Sequence, residues 1–297
     1  MMNKETIAAW LSIVSNFLLT LLKIIVGFLF NSQVLIADGI HNAGDFIASV
    51  SAFVAMRISK KPADDDHPYG HGKAEVIAAV LVAGIMAVAA LWIGYKSVET
   101  LFEPAPEAHL IALIAAVISY IWKHWLYIYT MREGKKINSK GLIATAYDHL
   151  ADVYASLAAV VGIGAAILGK HYDIPYTEYG DPLAGIVVAI LVMKLAVNMG
   201  KESFDTLMEK NLPQEKLDEY SLLISTVDGV ERIDRLRARE HGHYILVDVR
   251  VGILGSLSVQ EGHDISRQIK HKIMETDENV HEVLVHVNPW YEDEKKN

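Results

Sequence analysis

Two pairs of residues in this chain have the types and the spacing to hold a metal ion. His41 and Asp45 lie four apart in LIADGIHNAGDFIASV, and Asp148 and Asp152 lie four apart in ATAYDHLADVYAS. On a helix, residues i and i+4 leave the same face one turn apart. Each pair is then one chelating arm. Two arms from facing helices can close a tetrahedron of one imidazole and three carboxylates around a divalent ion. The ligands bind only when deprotonated, so an entering proton displaces the ion, and the reverse. Imidazole ordinarily titrates near neutrality, which suits His41 to that exchange.

Both pairs sit in long apolar segments. An ionisable group near a bilayer centre costs about 2.5–3.5 kcal/mol, so four cost on the order of 10 kcal/mol. Only a gain in binding or catalysis offsets that. Asp38 and Asn42, close by, read as hydrogen-bonding groups between helices. The elements that must carry these residues are six apolar segments, at about 6–31, 33–58, 75–102, 107–131, 140–169 and 182–206. The first is too long for a signal-peptide core and reads as a retained membrane helix. The second and fourth connections hold Arg57, Lys60, Lys61 and Lys73, and Arg132, Lys135, Lys136 and Lys140. The other three hold only Lys170, so the positive-inside rule puts both termini in the cytoplasm. Asn16, Thr20 and Lys23 share a stripe of segment 1 that should face other helices. Lys123 is expected to snorkel towards the cytoplasm. Asp181, before Pro182, is expected to cap segment 6, and Gly162 and Gly164 to allow close packing or bending in segment 5.

Of 297 residues, 52% are hydrophobic, which suits a polytopic membrane protein with a soluble part attached. A net charge of −9 argues against a nucleic-acid partner. Absence of cysteine excludes disulfides and thiolate ligands and disfavours soft Cu(I) chemistry. After Met208 the pattern turns to amphipathic helices and alternating strands in the order α-β-β-α-β, a small charged α+β layer with helices on one side of three strands. The domain boundary is placed at 207/208, giving a membrane domain over 1–207 and a cytoplasmic domain over 208–297.

Two further groups have ligand character. Asp64, His67 and His71 lie in the loop PADDDHPYGHGKAE, which read alone is either a solvated turn or a site. Asp248, His263 and His286 come from a strand, a helix and a strand, with His241, His243 and His281 nearby; sequence does not say that they converge.

The paired ligands on segments 2 and 5, the loop HPYGHGKAE, six helices and the αββαβ tail together resemble the cation diffusion facilitators, divalent-metal/proton antiporters, over nearly the whole chain. The resemblance implies efflux of Zn²⁺, Mn²⁺, Fe²⁺ or Co²⁺ from the cytoplasm by alternating access, in a homodimer in the plasma or inner membrane. It implies a transport site of His41, Asp45, Asp148 and Asp152, and a loop site of Asp64, His67 and His71. It also implies a ferredoxin-like cytoplasmic domain that binds metal through Asp248, His263 and His286. Asp234 and Asn288 stand where some relatives carry His and Asp, which speaks against a binuclear site. Lys73 and Glu209 match a pair that interlocks the protomers in relatives. With His on helix 2 and Asp-x-x-x-Asp on helix 5, the pattern is nearer manganese-type members, although the ligand count equals that of zinc/iron types. The resemblance further implies a transporter rather than an enzyme. An intramembrane aspartyl protease fits poorly, because Gly44-Asp45 and Tyr147-Asp148 stand in reversed order and leave His41 without a role. A non-transporting metal sensor or partner subunit of the same family is the alternative, and the full ligand set argues against it.

Overall fold

The computed structural model describes residues 4–59, 61–103, 108–136 and 140–291, with side chains at all but 4–9, 48–49, 51–57 and 140–144. Lys60 and residues 104–107 of the third connection lie outside the described residues, as do the side chains of Arg57 and Lys140. Six long helices come first: α1 (Lys4–Leu29), α2 (Gln33–Ser59), α3 (Ala74–Thr100), α4 (Leu110–Lys136), α5 (Lys140–Tyr172) and α6 (Gly180–Leu207). They match the six apolar segments closely. Among the described residues, stretches of α1, α3, α4, α5 and α6 are long and apolar enough to cross a membrane. α2 has 27 residues, about 40 Å at helical rise, and carries the polar groups. The protein is a multi-pass membrane protein.

The chain divides into two compact units, residues 1–53 with 79–200, and 54–78 with 201–297. The core of the first is built largely from small residues. Ala112, Ala115 and Ala116 of α4 and Ala159 of α5 join Val34, Leu35, Met86, Ile93, Val188 and Val192. Small side chains let backbones approach closely, which is how helices associate without a hydrophobic gain over lipid. At Gly162 a Cβ would lie 2.5 Å from the Ala184 Cβ and 2.7 Å from the Gly180 carbonyl, so no larger residue fits there. α5 nonetheless runs unbroken over 33 residues; the glycine serves packing and not a break.

Asp181 does not cap its own helix. Its carboxylate accepts the Val34 N–H at 3.0 Å and the Ser32 hydroxyl. It therefore satisfies the orphan donors at the start of α2, the helix that holds His41 and Asp45. A buried cap acceptor serves whichever helix end lies nearest in space, and proximity in sequence gave the wrong one.

The second unit contains α7 (Gln214–Ser225), β1 (Arg232–Glu240), β2 (Ile245–Leu254), α8 (Val259–Thr276) and β3 (Val280–Trp290). The sheet order is β1-β2-β3, with β1 antiparallel and β3 parallel to β2. Val247, Val249, Val251 and Ile253 alternate onto one face and pack with Ile265, Ile269 and Ile273 of α8. Those isoleucines recur every four residues, one stripe of an amphipathic helix. Ser258 and Glu261 close a capping box at its start. The other sheet face, with Arg235, Arg237, Asp248, Arg250 and His286, stays open.

Candidate metal centre

α2 brings His41 and Asp45 to a common face, and α5 brings Asp152 to meet them. One ligand atom from each lies within 4.8 Å of the others. His41 Nε2 is 3.1 Å from Asp152 Oδ1. His41 is 7% exposed and Asp152 2%. Divalent transition metals bind imidazole nitrogen and carboxylate oxygen at about 2.0–2.2 Å, so three atoms at this spacing can close on one ion with small side-chain adjustments. His41 Nδ1 lacks a hydrogen-bond partner among the described residues, and Asp152 Oδ1 faces the His41 ring. A buried polar atom left unpaired is costly, and a cation between the ring and the carboxylates would engage both.

Asp148 stands one turn before Asp152 on α5, but its side chain is exposed and outside this cluster. The structure thus brings three of the four expected ligands together. His149 is a buried neighbour that the spacing argument passed over: it is 2% exposed, with Nδ1 3.8 Å from Asp152 Oδ2 and neither ring nitrogen hydrogen-bonded among the described residues. Its i,i+3 relation to Asp152 was the available signal.

Two lysines in the helical core complete the charge arrangement. Lys123 does not snorkel; it is fully buried, salt-bridged to Asp152 and hydrogen-bonded to Asn16 Oδ1 at 2.6 Å. Lys23 is also fully buried, 2.7 Å from Asp38 Oδ2 and 3.2 Å from Ser156 Oγ. The Ser156 hydroxyl donates to Asp38 at 2.9 Å. Asp38 thus makes the interhelical hydrogen bond expected of it, to Ser156 of α5, and is in addition one half of an ion pair with Lys23 of α1. A buried ammonium requires such partners at its own depth, because a buried charge left unpaired is strongly destabilising. Asn16 and Lys23 face the bundle interior, as the stripe on segment 1 implied.

The loop before α3 forms the second cluster. Asp64 Oδ1 accepts the His67 N–H at 2.7 Å, His67 Nδ1 lies 3.1 Å from the same oxygen, and His71 Nε2 lies 3.4 Å from Oδ2. The His67 and His71 rings sit 4.3 Å apart, and the three ligand atoms lie within 4.8 Å of one another. The turn that brings the two rings together has Gly70 at φ +84°, a conformation that favours glycine. The backbone N–H of His67 holds the Asp64 carboxyl below its usual range, so it stays charged. The loop lies against the β1–β2 hairpin: the Tyr244 hydroxyl donates to the Tyr69 carbonyl, and a Cβ on Gly72 would come within 2.0 Å of the His241 carbonyl.

Residues 9–208 match the family described as the cation efflux transmembrane domain, and residues 212–290 match the cation efflux protein, cytoplasmic domain. The chain is a cation diffusion facilitator. It is 42% identical over 285 residues to the manganese efflux system protein MneP of Bacillus subtilis, covering 96% of each chain. It is 33% identical to MneS of the same organism, covering 92% of each. The match to a solved structure of a MamM CTD variant covers 26% of this chain and 94% of that one, at 19% identity and a TM-score of 0.25.

In this cation diffusion facilitator the C-terminal residues do not gather as expected. Asp248 and His286 line one recess on the open sheet face. His263 is exposed on α8, whose buried residues Gly262 and Ile265 face the sheet's other side. Asp248 is held by Arg239 Nη1 at 2.5 Å. The cause is the strand period of two, which puts even-numbered β2 residues on the face away from α8. His241, His243 and His281 ring Tyr244, with centroids 5.2, 5.0 and 5.0 Å away. Asp234 is engaged by Arg232 and by Asn288 Nδ2 at 2.6 Å. Lys73 and Glu209 do pair, within one chain, and Glu209 also takes Arg239 Nε.

Proposed function

We propose that this protein exports divalent metal from the cytoplasm in exchange for protons, by alternating access, with His41, Asp45 and Asp152 holding the ion. The observation that carries the reading is the convergence of those three ligand atoms within 4.8 Å inside the helical unit. Asp148 supplies the fourth ligand when α5 shifts relative to α2, since one turn separates it from Asp152. Carboxylate oxygen is hard and suits Mn²⁺ and Fe²⁺, whereas imidazole favours Zn²⁺. A single histidine with carboxylates, together with 42% identity to a protein named for manganese efflux, supports Mn²⁺ as cargo. The protein works as a homodimer in the cell membrane with both termini cytoplasmic, the domain boundary falls at 207/208, and Asp64, His67 and His71 bind metal at the loop. The Lys73–Glu209 contact braces the cytoplasmic ends of the protomers.

Reconstituted into liposomes under an imposed pH gradient, the parent should move Mn²⁺ and protons in opposite directions. Asp152→Asn and Asp45→Asn should insert normally and move neither. Full flux in either variant would remove the site assignment. Metal binding without flux in the parent would favour a sensor.

A further inference from the structure

The open face of the C-terminal sheet carries positive charge that the neighbouring residues leave uncompensated. β1, RIDRLRARE, holds four arginines in nine residues. Arg232 meets Asp234 at 2.6 Å, and Arg239 is shared by Asp248 and Glu209. Arg235 and Arg237, with Arg250 of β2, have no acidic partner among the described residues. The ladder sets these groups side by side: Arg235 is in register with Arg250, and Arg250 with His286. Directly opposed side chains start about 4.5–5.5 Å apart at Cβ, where like charges destabilise a sheet. Arg237 is in register with Asp248, which already carries Arg239 at 2.5 Å. Arg235, Arg237, Asp248, Arg250, Leu284 and His286 line a recess of about 290 Å³. Glu282, two residues before Leu284, opens onto a different recess.

Three free guanidiniums around a small recess repel a divalent cation and attract an anion. Their planar forks match phosphoryl oxygens in bidentate geometry, which a lysine ammonium does not. We propose that this recess binds a phosphoryl group, presented either by a small soluble phosphate compound or by a phospholipid headgroup. Arg235 and Arg250 grip it from adjacent strands, and Arg237 closes the third side. Asp248 stays neutralised by Arg239. The inference is independent of the transport reading, because it uses no residue of the helical site.

The test is calorimetric titration of the full-length protein in metal-free detergent buffer with two probes, sodium pyrophosphate and glycerophosphoglycerol. Saturable binding of pyrophosphate assigns a soluble ligand, and binding of glycerophosphoglycerol alone assigns a headgroup. Arg235→Ala with Arg250→Ala should weaken the bound probe at least a hundredfold. Arg250→Lys, which keeps the charge and loses the fork, should weaken it about tenfold. Without probe, the double variant should melt no lower than the parent, because a like-charge contact has gone. A lower melting temperature would mean that the arginines are already paired in solution, and would overturn the proposal. It also fails if neither probe binds, or if the double variant binds as well as the parent. Retention of one Mn²⁺ per chain that His286→Ala removes would restore the metal reading of this face and end the anion one.

Discussion

Replacing Lys123 by Met tests how charge is balanced at the proposed metal centre. Met keeps the length of the stem and removes the ammonium. Lys123 and Asp152 pair with side-chain exposures of 0% and 3%. Breaking a buried pair from one side costs about 3–5 kcal/mol, because the remaining charge is left unpaired. The metal-free variant should unfold that much more easily. Metal binding should change in the opposite sense. Asp152 holds Lys123 with the carboxylate that would hold the ion, so the two cations compete. A unit charge about 4 Å from another is worth about 4 kcal/mol at an effective dielectric of 20. Lys123 can retain Asn16 while yielding Asp152, which returns part of that, and about 1.5–3 kcal/mol remains. Mn²⁺ should therefore bind the variant about ten- to a hundredfold more tightly, and the metal-induced rise in melting temperature should exceed the parent's. Outward flux should fall because release slows. The assays are thermal unfolding with and without Mn²⁺, and calorimetric titration. If the variant is as stable as the parent without metal and binds Mn²⁺ no better, Lys123 does not compete for the site.

Three other outcomes follow from specific contacts. Asp181→Ala should cost about 0.5–2 kcal/mol by uncapping α2, with Asp181→Ser retaining most of the stability in the same thermal assay. Gly72→Ala places a methyl 2.0 Å from the His241 carbonyl; overpacking of that kind costs about 1–3 kcal/mol, and limited proteolysis should then cut the loop at 61–72 faster than in the parent. Glu209→Lys should destabilise and Lys73→Glu added to it should restore, with each effect about 1 kcal/mol because the side chains are 26% and 43% exposed. Burial pushes the Glu209 carboxyl up, but Lys73 and Arg239 outweigh it and hold it below the ordinary value. Its contribution is therefore complete above about pH 4.3 and lost as pH falls through the depressed value. The parent's lead over Glu209→Gln, measured by denaturant unfolding, should be constant at neutral pH and shrink only in acid.

The helices and the αββαβ order were legible because their signals are periodic. Apolar runs of bilayer length and alternating strand residues such as Val247, Val249 and Val251 depend on local pattern alone. The pairing of His41 and Asp45 was legible for the same reason, since four residues on a helix fix a shared face. What escaped depends on which helices touch. Nothing near Lys123 in sequence announces Asp152 on α5 or Asn16 on α1, and a lone lysine in an apolar run is ordinarily read as snorkelling. Asp181 sits at a helix start with the right residue type, yet its partner is the start of α2, 147 positions away. In the C-terminal domain, strand alternation separates Asp248 and His286 from His263, and the arginines around them come from register that β1 alone does not reveal.

In the proposed site, His41 nitrogen and the carboxylates of Asp45 and Asp152 bind the ion. Pulsed EPR of Mn²⁺ bound to protein carrying His67→Ala and His71→Ala observes those ligands directly, because a ligating imidazole couples its nitrogen to the metal's spin. We predict one imidazole nitrogen coupling that disappears on adding His41→Asp while Mn²⁺ stays bound through oxygen. A nitrogen coupling that persists unchanged in His41→Asp would contradict it.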